Sequence, residues 1–424
     1  MNKNLSNKKT VRDLSWNYMS LFILAVSGIS INVLIASNYG SGAVGVFNQI
    51  FALYIISSQL AVGGVHFSVL KYTAQHDNRS GVILPILHSG LLVVFALSGF
   101  VALALLLGKN IIGEVLDSPP VLNGIYFIAP SLIFFSLNKL LLSCLNGLRM
   151  MRAFATVSGL RYILIISFVC YVSVSGMSSE LLPASFLFSE IILFPIQIFI
   201  LRKKLLSIRF KVEKYWIKKH SIFGFKAFLS GVFIELNSRV DVLMLGIFSS
   251  DSVVGLYSFA AMLAEGFYQL LIVVRNNINP VMGKLILANR IEEFKRIVVK
   301  TRSIVYPVMF LIGSLTIALY LPMLNFLPNG DEFSDSLPVL TILLLGLVLI
   351  SGFVPFDAIL TQSGFPATQT FINAFGLIIN ILLNIFLIPL YGPIGAALAT
   401  SASLVLTIIY LNKIVYNKLG FALF

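Results

Sequence analysis

Eight ionisable side chains lie inside long apolar stretches of this sequence, where a charge needs a partner or water. An ionised group in hydrocarbon is costly unless it forms an ion pair or lines a water-filled cavity. Eight are too many for purely structural pairs, so we expect some of them to line a polar path. They are Lys139, Arg161, Glu190, Glu235, Arg239, Asp241, Glu265 and Asp357.

The signs of these charges predict two kinds of chemistry. Cations on a polar path would bind an anionic group, and carboxylates would bind a coupling ion, H+ or Na+. Glu235 and Arg239 are spaced i, i+4, which favours an ion pair on one helix face, with Asp241 pointing roughly the opposite way. The carboxylate candidates for ion coupling are Glu190, Glu235, Glu265, Asp357 and Asp241.

Amide side chains form a second pattern. Gln369, Asn373, Asn380 and Asn384 recur at spacings of four, seven and four, within a stripe about 60° wide on a helix. Two explanations fit: amide hydrogen bonds between helices, or a lining for a channel that carries sugar hydroxyls.

Motifs of known catalytic sites are missing from the sequence. It has no Walker-type phosphate loop, no H-E-x-x-H and no G-x-S-x-G. Its four histidines are widely scattered. We therefore expect no catalytic residue, no metal site and no bound cofactor, and we expect the chain not to be an enzyme. Any ATP hydrolysis would come from another protein.

The composition fits a membrane protein. Of 424 residues, 58% are hydrophobic and 11% charged, against about 45–50% and about 25% in soluble domains. Mean hydropathy is +0.95, which excludes a soluble enzyme, a disordered chain and a fibrous repeat. The net charge of +13 lies in short loops rather than on a basic face, so we expect no nucleic acid partner.

Twelve runs are long enough to cross roughly 30 Å of hydrocarbon as helices. The predicted spans are 15–37, 43–68, 82–107, 121–145, 154–176, 181–201, 223–247, 253–275, 303–323, 337–361, 368–389 and 393–415. Lys and Arg concentrate in alternate loops, and the predicted outer loops hold only Lys109. This bias predicts that both termini are cytoplasmic.

The longest charged stretch, 202–226, divides the spans six and six. We predict an N-terminal bundle at 1–205, a basic cytoplasmic linker at 206–222 and a C-terminal bundle at 223–424. A shift of 210 residues superposes Val44-Gly45 on Val254-Gly255. The predicted fold class is therefore an all-α polytopic membrane protein with two six-helix bundles, related by a pseudo-two-fold axis along the membrane normal.

Residues 380–400 carry the pattern N-x-x-L-N-x-x-L-I-P-x-Y-G-x-x-G-A-A-x-A-T. This stretch resembles a signature of the polysaccharide-transport branch of the MOP/MATE superfamily, which includes the Wzx O-antigen flippases. Similar patterns occur at 237–260, 38–71 and 145–150, so the resemblance covers nearly the whole chain. Twelve spans are most similar to Wzx. Lipid II flippases usually have fourteen, with more arginines in the cavity than Arg161 and Arg239.

The resemblance implies a flippase that moves an undecaprenyl-pyrophosphate-linked oligosaccharide, such as an O-antigen or lipopolysaccharide repeat unit, from the inner to the outer leaflet. Arg161 and Arg239, with Lys139, would bind the pyrophosphate, and the amide stripe would contact sugars. We expect alternating access, a monomer in membrane lipid, and the bacterial inner membrane as its location. Glycan polymerase or chain-length machinery is an expected partner.

Two other functions fit the same helices. A MATE-type drug or cation antiporter shares the two-bundle plan, and the embedded charge here, three basic and five acidic residues, allows it. A membrane polysaccharide polymerase or ligase typically needs a sizeable outer loop, and no predicted outer loop exceeds about 15 residues. The signature at 380–400 favours the flippase.

Overall fold

The computed structural model of the chain describes residues 2–76, 80–205 and 211–423. Within these ranges the backbone forms helices and turns and no strand, because a chain in hydrocarbon must satisfy its own N–H and C=O groups. Short 3-10 helices lie at Ser179–Leu181, Gly330–Ser336 and Val354–Phe356. The α-helices are α1 (Asn2–Val62), α2 (Val65–Gln75), α3 (Ser80–Leu116), α4 (Pro119–Gly147), α5 (Met151–Val174), α6 (Ala184–Leu205), α7 (Lys214–Phe248), α8 (Asp251–Leu287), α9 (Ile291–Leu324), α10 (Leu337–Ile350), α11 (Ile359–Gln362) and α12 (Pro366–Leu419).

Nine helical segments of the described chain are long and apolar enough to cross a membrane. Two of them, Val26–Val62 and Pro366–Leu419, are kinked at Gly40 and Gly392. The first overlaps the predicted spans 15–37 and 43–68, and the second contains 368–389 and 393–415. The span predicted at 223–247 lies in α7, which carries charged residues along its length. The helices therefore account for the twelve predicted spans, and the chain is an all-α multi-pass membrane protein.

The span predicted at 43–68 is interrupted. α1 ends at Val62 and α2 begins at Val65, since Gly63 and Gly64 both have positive φ, at 53° and 69°. A Cβ on Gly64 would overlap the carbonyl oxygen of Gly224 in α7. The bend therefore lies where two backbones touch, and only glycine fits both the angle and the contact.

The span predicted at 337–361 also ends early. α10 stops at Ile350, and the chain continues through turns and the 3-10 helix Val354–Phe356. Arg302 of α9 donates from Nε to the carbonyl oxygen of Gly352 at 3.2 Å. A side chain thus donates a hydrogen bond to a backbone carbonyl that has no partner within the broken helix. Irregular backbone inside a membrane protein requires such partners.

The chain divides into two compact units. Unit 1 comprises Met1–Ile35 and Gln49–Glu235, and unit 2 comprises Ala36–Asn48 and Leu236–Phe424. The segment 36–48 thus groups with unit 2, and the first part of α7 with unit 1. The bundle boundaries drawn from the sequence stay a prediction, and part of the linker, 206–210, lies outside the described residues.

Each unit has its own apolar core. In unit 1, buried side chains of α4 pack with those of α2, α3, α5 and α6, so α4 is central. In unit 2, α8, α9, α11 and α12 meet around a cluster that includes Phe294, Phe356 and Ile372. These cores fix the helices that carry the embedded charges.

The kink of α1 at Gly40 is held by side chains from the segment between α9 and α10. Gly40 has φ 77°, which leaves helix ends on both sides of it. Glu332 Oε2 accepts the backbone N–H of Ser41 at 2.8 Å, and Asn329 Nδ2 donates to the carbonyl of Ser37 at 3.2 Å. Both helix ends are thereby capped.

Candidate functional site

The first group of embedded charges lies in unit 1, where α4, α5 and α6 meet. Arg161 Nε lies 2.7 Å from Glu190 Oε1, and the Glu190 side chain is 1% exposed. Asn138 Nδ2 donates to Glu190 Oε2 at 2.7 Å and to the Glu190 carbonyl at 2.8 Å. The buried carboxylate is therefore neutralised and hydrogen-bonded, as an ion pair in hydrocarbon must be.

Lys139 lies beside this pair. Its Nζ donates to Gln59 Oε1 at 3.1 Å and lies 5.6 Å from the Phe135 ring centroid. Arg161 Cζ lies 5.0 Å from the same ring. None of the ion pairs found among described residues includes Lys139. The structure thus brings two of the three predicted anion-binding cations to one aromatic ring.

The third predicted cation, Arg239, lies in unit 2. Its Nη2 is 3.2 Å from Glu265 Oε1 of α8, with the two side chains 20% and 47% exposed. The spacing predicts Glu235 as a partner of Arg239, and the structure shows a further ion pair, between Arg239 of α7 and Glu265 of α8.

A second polar cluster surrounds Asp241, which is buried in unit 2. Asp241 Oδ1 accepts from Asn384 Nδ2 at 2.8 Å, and Oδ2 accepts from Tyr257 Oη at 3.1 Å and Thr400 Oγ1 at 2.5 Å. Asn384 also donates to Asn380 Oδ1. No cation is among these partners. The arrangement is an oxygen-rich site with one carboxylate, which suits H+ or a small hard cation.

Asn384 Oδ1 strengthens this description. It is buried and has no hydrogen-bond partner in the described chain, and buried carbonyl oxygens are ordinarily bonded. An unbonded acceptor next to a buried carboxylate is a ready ligand for a cation. Groups of three or more His, Cys, Asp or Glu side chains that would suit a transition metal are missing from the described residues.

The predicted amide stripe divides into two parts. Asn380 and Asn384 are buried against Asp241. Gln369 and Asn373, near the start of α12, are partly exposed, and Gln369 Nε2 donates to Asn373 Oδ1 at 3.4 Å. Only this second pair is placed to meet a polar ligand, whereas the first pair belongs to the carboxylate cluster.

Asp357 lies in the broken segment after α10 and forms an ion pair. Arg275 Nη1 of α8 is 2.9 Å from Asp357 Oδ2, with both side chains about a quarter exposed at 28% and 24%. The sequence predicted Asp357 as an ion-coupling candidate but did not single out Arg275, which stands at the end of a predicted span.

Two site residues, Tyr257 and Thr400, were missed as chemistry-bearing groups. Both lie within the stretches 237–260 and 380–400 that carry the family resemblance. A neutral hydroxyl in an apolar helix is common, so neither residue draws attention until the carboxylate it bonds is known.

Comparison with known proteins shows two partial family matches and a shared fold. Residues 76–286 match the family described as "Polysaccharide biosynthesis protein", and residues 227–386 match the MatE family. A multidrug resistance MATE family transporter of the MOP superfamily, solved in an inward-facing conformation, superposes with a TM-score of 0.76 at 11% identity. That match covers 93% of this chain and 95% of the transporter. The chain therefore has the fold of this MOP-superfamily transporter.

Two flippases resemble it over different lengths. The lipid II flippase MurJ, in an inward closed conformation, superposes with a TM-score of 0.72 at 19% identity, over 94% of this chain and 87% of MurJ. The probable flippase AglR of Haloferax volcanii is 27% identical over 180 residues, which are 40% of this chain and 36% of AglR. The chain therefore matches little more than a third of this curated relative, while the MOP fold is shared throughout.

The two family matches both include part of the polar clusters. The polysaccharide match at 76–286 includes Lys139, Arg161, Glu190 and Asp241, and the MatE match at 227–386 includes Asp241, Asn380 and Asn384.

Proposed function

We propose that the chain is a flippase for undecaprenyl-pyrophosphate-linked oligosaccharide, a surface polysaccharide repeat unit of the O-antigen type. The observation that carries this proposal is the pair of cations, Lys139 and Arg161, that flank Phe135 inside membrane helices. A diphosphate is the anion that two such groups would recognise through charge-assisted hydrogen bonds. The match of this region to a polysaccharide family supports the same substrate class.

The physical task explains why such groups are needed. Sugar hydroxyls and phosphate charges cannot cross hydrocarbon without hydrogen-bonding partners. The polyprenyl tail stays in lipid, while the headgroup crosses by alternating access between the bundles predicted at 1–205 and 223–424. Gln369 and Asn373 would offer amide groups to sugars, and Arg239 would provide a further cation.

The Asp241 cluster is our candidate for energy coupling. A carboxylate with the oxygens of Asn384, Asn380 and Thr400 around it would bind Na+ or H+. Glu190, Glu235, Glu265 and Asp357 are second choices, because each has a cation near it, namely Arg161, Lys139, Arg239 and Arg275 in that order. Binding of the ion to Asp241 would favour one conformation over the other.

The setting of the proposed activity follows from its substrate. We infer a bacterial inner membrane, both termini in the cytoplasm, and a monomer that acts as a transporter without catalysis. Enzymes that assemble the glycan on one side and polymerise it on the other are the expected partners.

A second candidate is a MATE-type drug or cation antiporter. The MatE match over 227–386 and the buried Asp241 favour it, because a cationic drug needs an acidic site. The cations at Phe135 argue against the antiporter, because they would repel a cationic substrate.

Complementation of a flippase-null strain distinguishes these functions. We expect this chain to restore surface polysaccharide and to leave accumulation of cationic drugs unchanged, with an empty vector as control. Restored drug efflux without polysaccharide would identify the antiporter instead. Lengthening of lipid-linked glycans by the purified protein in liposomes would identify a polymerase.

A further inference from the structure

One exposed face of α7 changes from cationic to apolar along the helix. Lys214 and Lys218 are followed by Ile222, Phe225 and Leu229, at spacings that keep all five residues on one side. All five are exposed, Phe225 by 77%. This order of cationic and then apolar side chains complements a phospholipid, whose anionic headgroup is followed by an acyl chain.

A second pair of lysines lies next to this face. Lys219 Nζ is 2.7 Å from Tyr215 Oη and within 4.9 Å of the ring centroids of Tyr215, Trp216 and Tyr72. Lys71 Nζ of α2 lies 5.5 Å from the Tyr72 centroid. Both ammonium groups therefore lie close to aromatic rings, and cation–π attraction favours these positions.

These four lysines, Lys71, Lys214, Lys218 and Lys219, form what we call the inner cation patch. The nearest described carboxylate on this segment, Glu213, pairs with Lys211 at 3.1 Å. No ion pair between described residues includes a patch lysine. The hydrogen bond that Lys219 donates to Tyr215 raises the pKa of Lys219, so the charge of Lys219 is retained.

We propose that the inner cation patch binds the headgroup of an anionic phospholipid of the inner leaflet. The phosphate lies among the lysines, and the acyl chain lies along Ile222, Phe225 and Leu229. Tyr and Trp are typical of the membrane interface, and each nearby lysine strengthens the attraction to anionic lipid. This inference does not depend on the transported substrate.

The apolar continuation selects this ligand over others. A free phosphate would contact the lysines but not Phe225. An acidic soluble protein would not reach side chains that are predicted to lie within the bilayer. A phospholipid uses both parts of the surface. The positive-inside pattern places the patch at the cytoplasmic interface, where anionic headgroups lie.

The test measures which lipid the purified full chain retains. Protein is exchanged into mixed micelles of phosphatidylglycerol and phosphatidylcholine with identical acyl chains, and bound lipid is quantified by mass spectrometry. We expect phosphatidylglycerol to be enriched, and the variant Lys214→Gln/Lys218→Gln/Lys219→Gln to bind it about tenfold more weakly. Raising the salt concentration should reduce the enrichment.

A matched control removes the same charge elsewhere on the predicted inner side. Lys284, Lys300 and Lys413 are exposed lysines of unit 2, and Lys284→Gln/Lys300→Gln/Lys413→Gln should keep the enrichment. The variant Lys219→Arg should also keep it. Equal loss in both triple variants, or retention of phosphatidylglycerol by the patch variant, would overturn the proposal. So would retention of a polyprenyl phosphate without retention of phosphatidylglycerol.

Discussion

Gly45 of α1 and Gly255 of α8 each lie against the backbone of the other's helix. A Cβ on Gly45 would overlap the carbonyl oxygen of Asp251, and a Cβ on Gly255 would overlap that of Ser41. Asp251 and Gly255 stand 210 positions after Ser41 and Gly45. The contact of Gly45 with Asp251 is therefore equivalent, after a shift of 210 residues, to the contact of Gly255 with Ser41. The helix crossing has a local two-fold symmetry.

The crossing predicts a sharp effect of a single methyl group. Gly45→Ala places its Cβ on backbone that cannot move independently, so we expect a loss of about 1–3 kcal/mol in stability. Gly42→Ala is the matched control, because its Cβ would lie an ordinary 3.5 Å from Ser252 Oγ. Thermal unfolding in detergent measures both. Equal midpoints for the two variants would show that the helices separate without penalty.

The same crossing offers a test of alternating access. Gly42→Cys and Ser252→Cys would place two sulfur atoms within bonding reach, once Cys144 and Cys170, both free, are replaced. If α1 and α8 must separate during transport, oxidation should abolish polysaccharide export and a reductant should restore it. Normal export by the fully cross-linked protein would mean that this crossing stays closed throughout the cycle.

The helices followed from the sequence because length and apolar composition dictate them in a membrane. Their interruptions did not, since they depend on tertiary contacts. Gly63 and Gly64 bend the chain because the backbone of Gly224 packs there. The turns after Ile350 persist because Arg302, far away in the sequence, satisfies the carbonyl of Gly352.

The polar sites were predictable only in part, because the sequence shows patterns within a helix but not the contacts between helices. Helical spacing placed Asn380 and Asn384 on one face, and the apolar stretch around it marked Asp241 as unusual, but periodicity within one helix cannot say which helix lies opposite. Arg239 illustrates this limit, because the spacing within α7 points to Glu235 and gives no sign of the ion pair with Glu265 of α8.

The Asp241 cluster predicts a direct ion effect on the purified protein. If Na+ binds there, adding NaCl in place of choline chloride should raise the thermal unfolding midpoint, since a ligand stabilises the state that binds it. Asp241→Asn and Thr400→Val should lose this rise. Ser258→Ala, which alters a buried hydroxyl one residue after Tyr257, should keep it. A rise that survives in Asp241→Asn would place the ion elsewhere, and a response to pH alone would indicate H+.

The Arg161–Glu190 pair predicts that single and double substitutions differ. Arg161→Ala leaves a buried carboxylate unpaired and should destabilise the protein by about 3–5 kcal/mol, whereas Arg161→Ala/Glu190→Ala should recover much of that loss. Thermal unfolding measures this coupling. Additive effects would show that the two charges do not stabilise each other.

Lys139 gives the cleaner test of substrate binding. Its hydrogen-bond partner, Gln59, is neutral, so Lys139→Gln should change stability less than Arg161→Ala does. We expect Lys139→Gln to abolish surface polysaccharide at a normal protein level in the membrane. Full export by this variant would remove Lys139 from the proposed pyrophosphate site.

His220, in the predicted linker just before the span at 223–247, predicts a pH dependence of stability. Its Nδ1 lies 2.8 Å from Ser68 Oγ and its Nε2 lies 3.0 Å from the carbonyl oxygen of Ile86. Burial lowers the pKa of His220 to about 4, against 6.5 ordinarily. The unfolded chain therefore binds a proton more readily than the folded protein does between these two pH values.

His220 therefore makes the folded protein less stable as the pH falls. The contribution of neutral His220 is fully present above pH 6.5 and is lost as the pH falls towards 4, by about 2 kcal/mol between pH 7.5 and pH 5. His220→Gln has no such proton to bind, so its stability deficit relative to wild type should shrink as the pH falls. Unfolding midpoints of both proteins at pH 7.5 and pH 5 measure this. A deficit that stays constant across the two pH values would mean that His220 is not held neutral by its buried position.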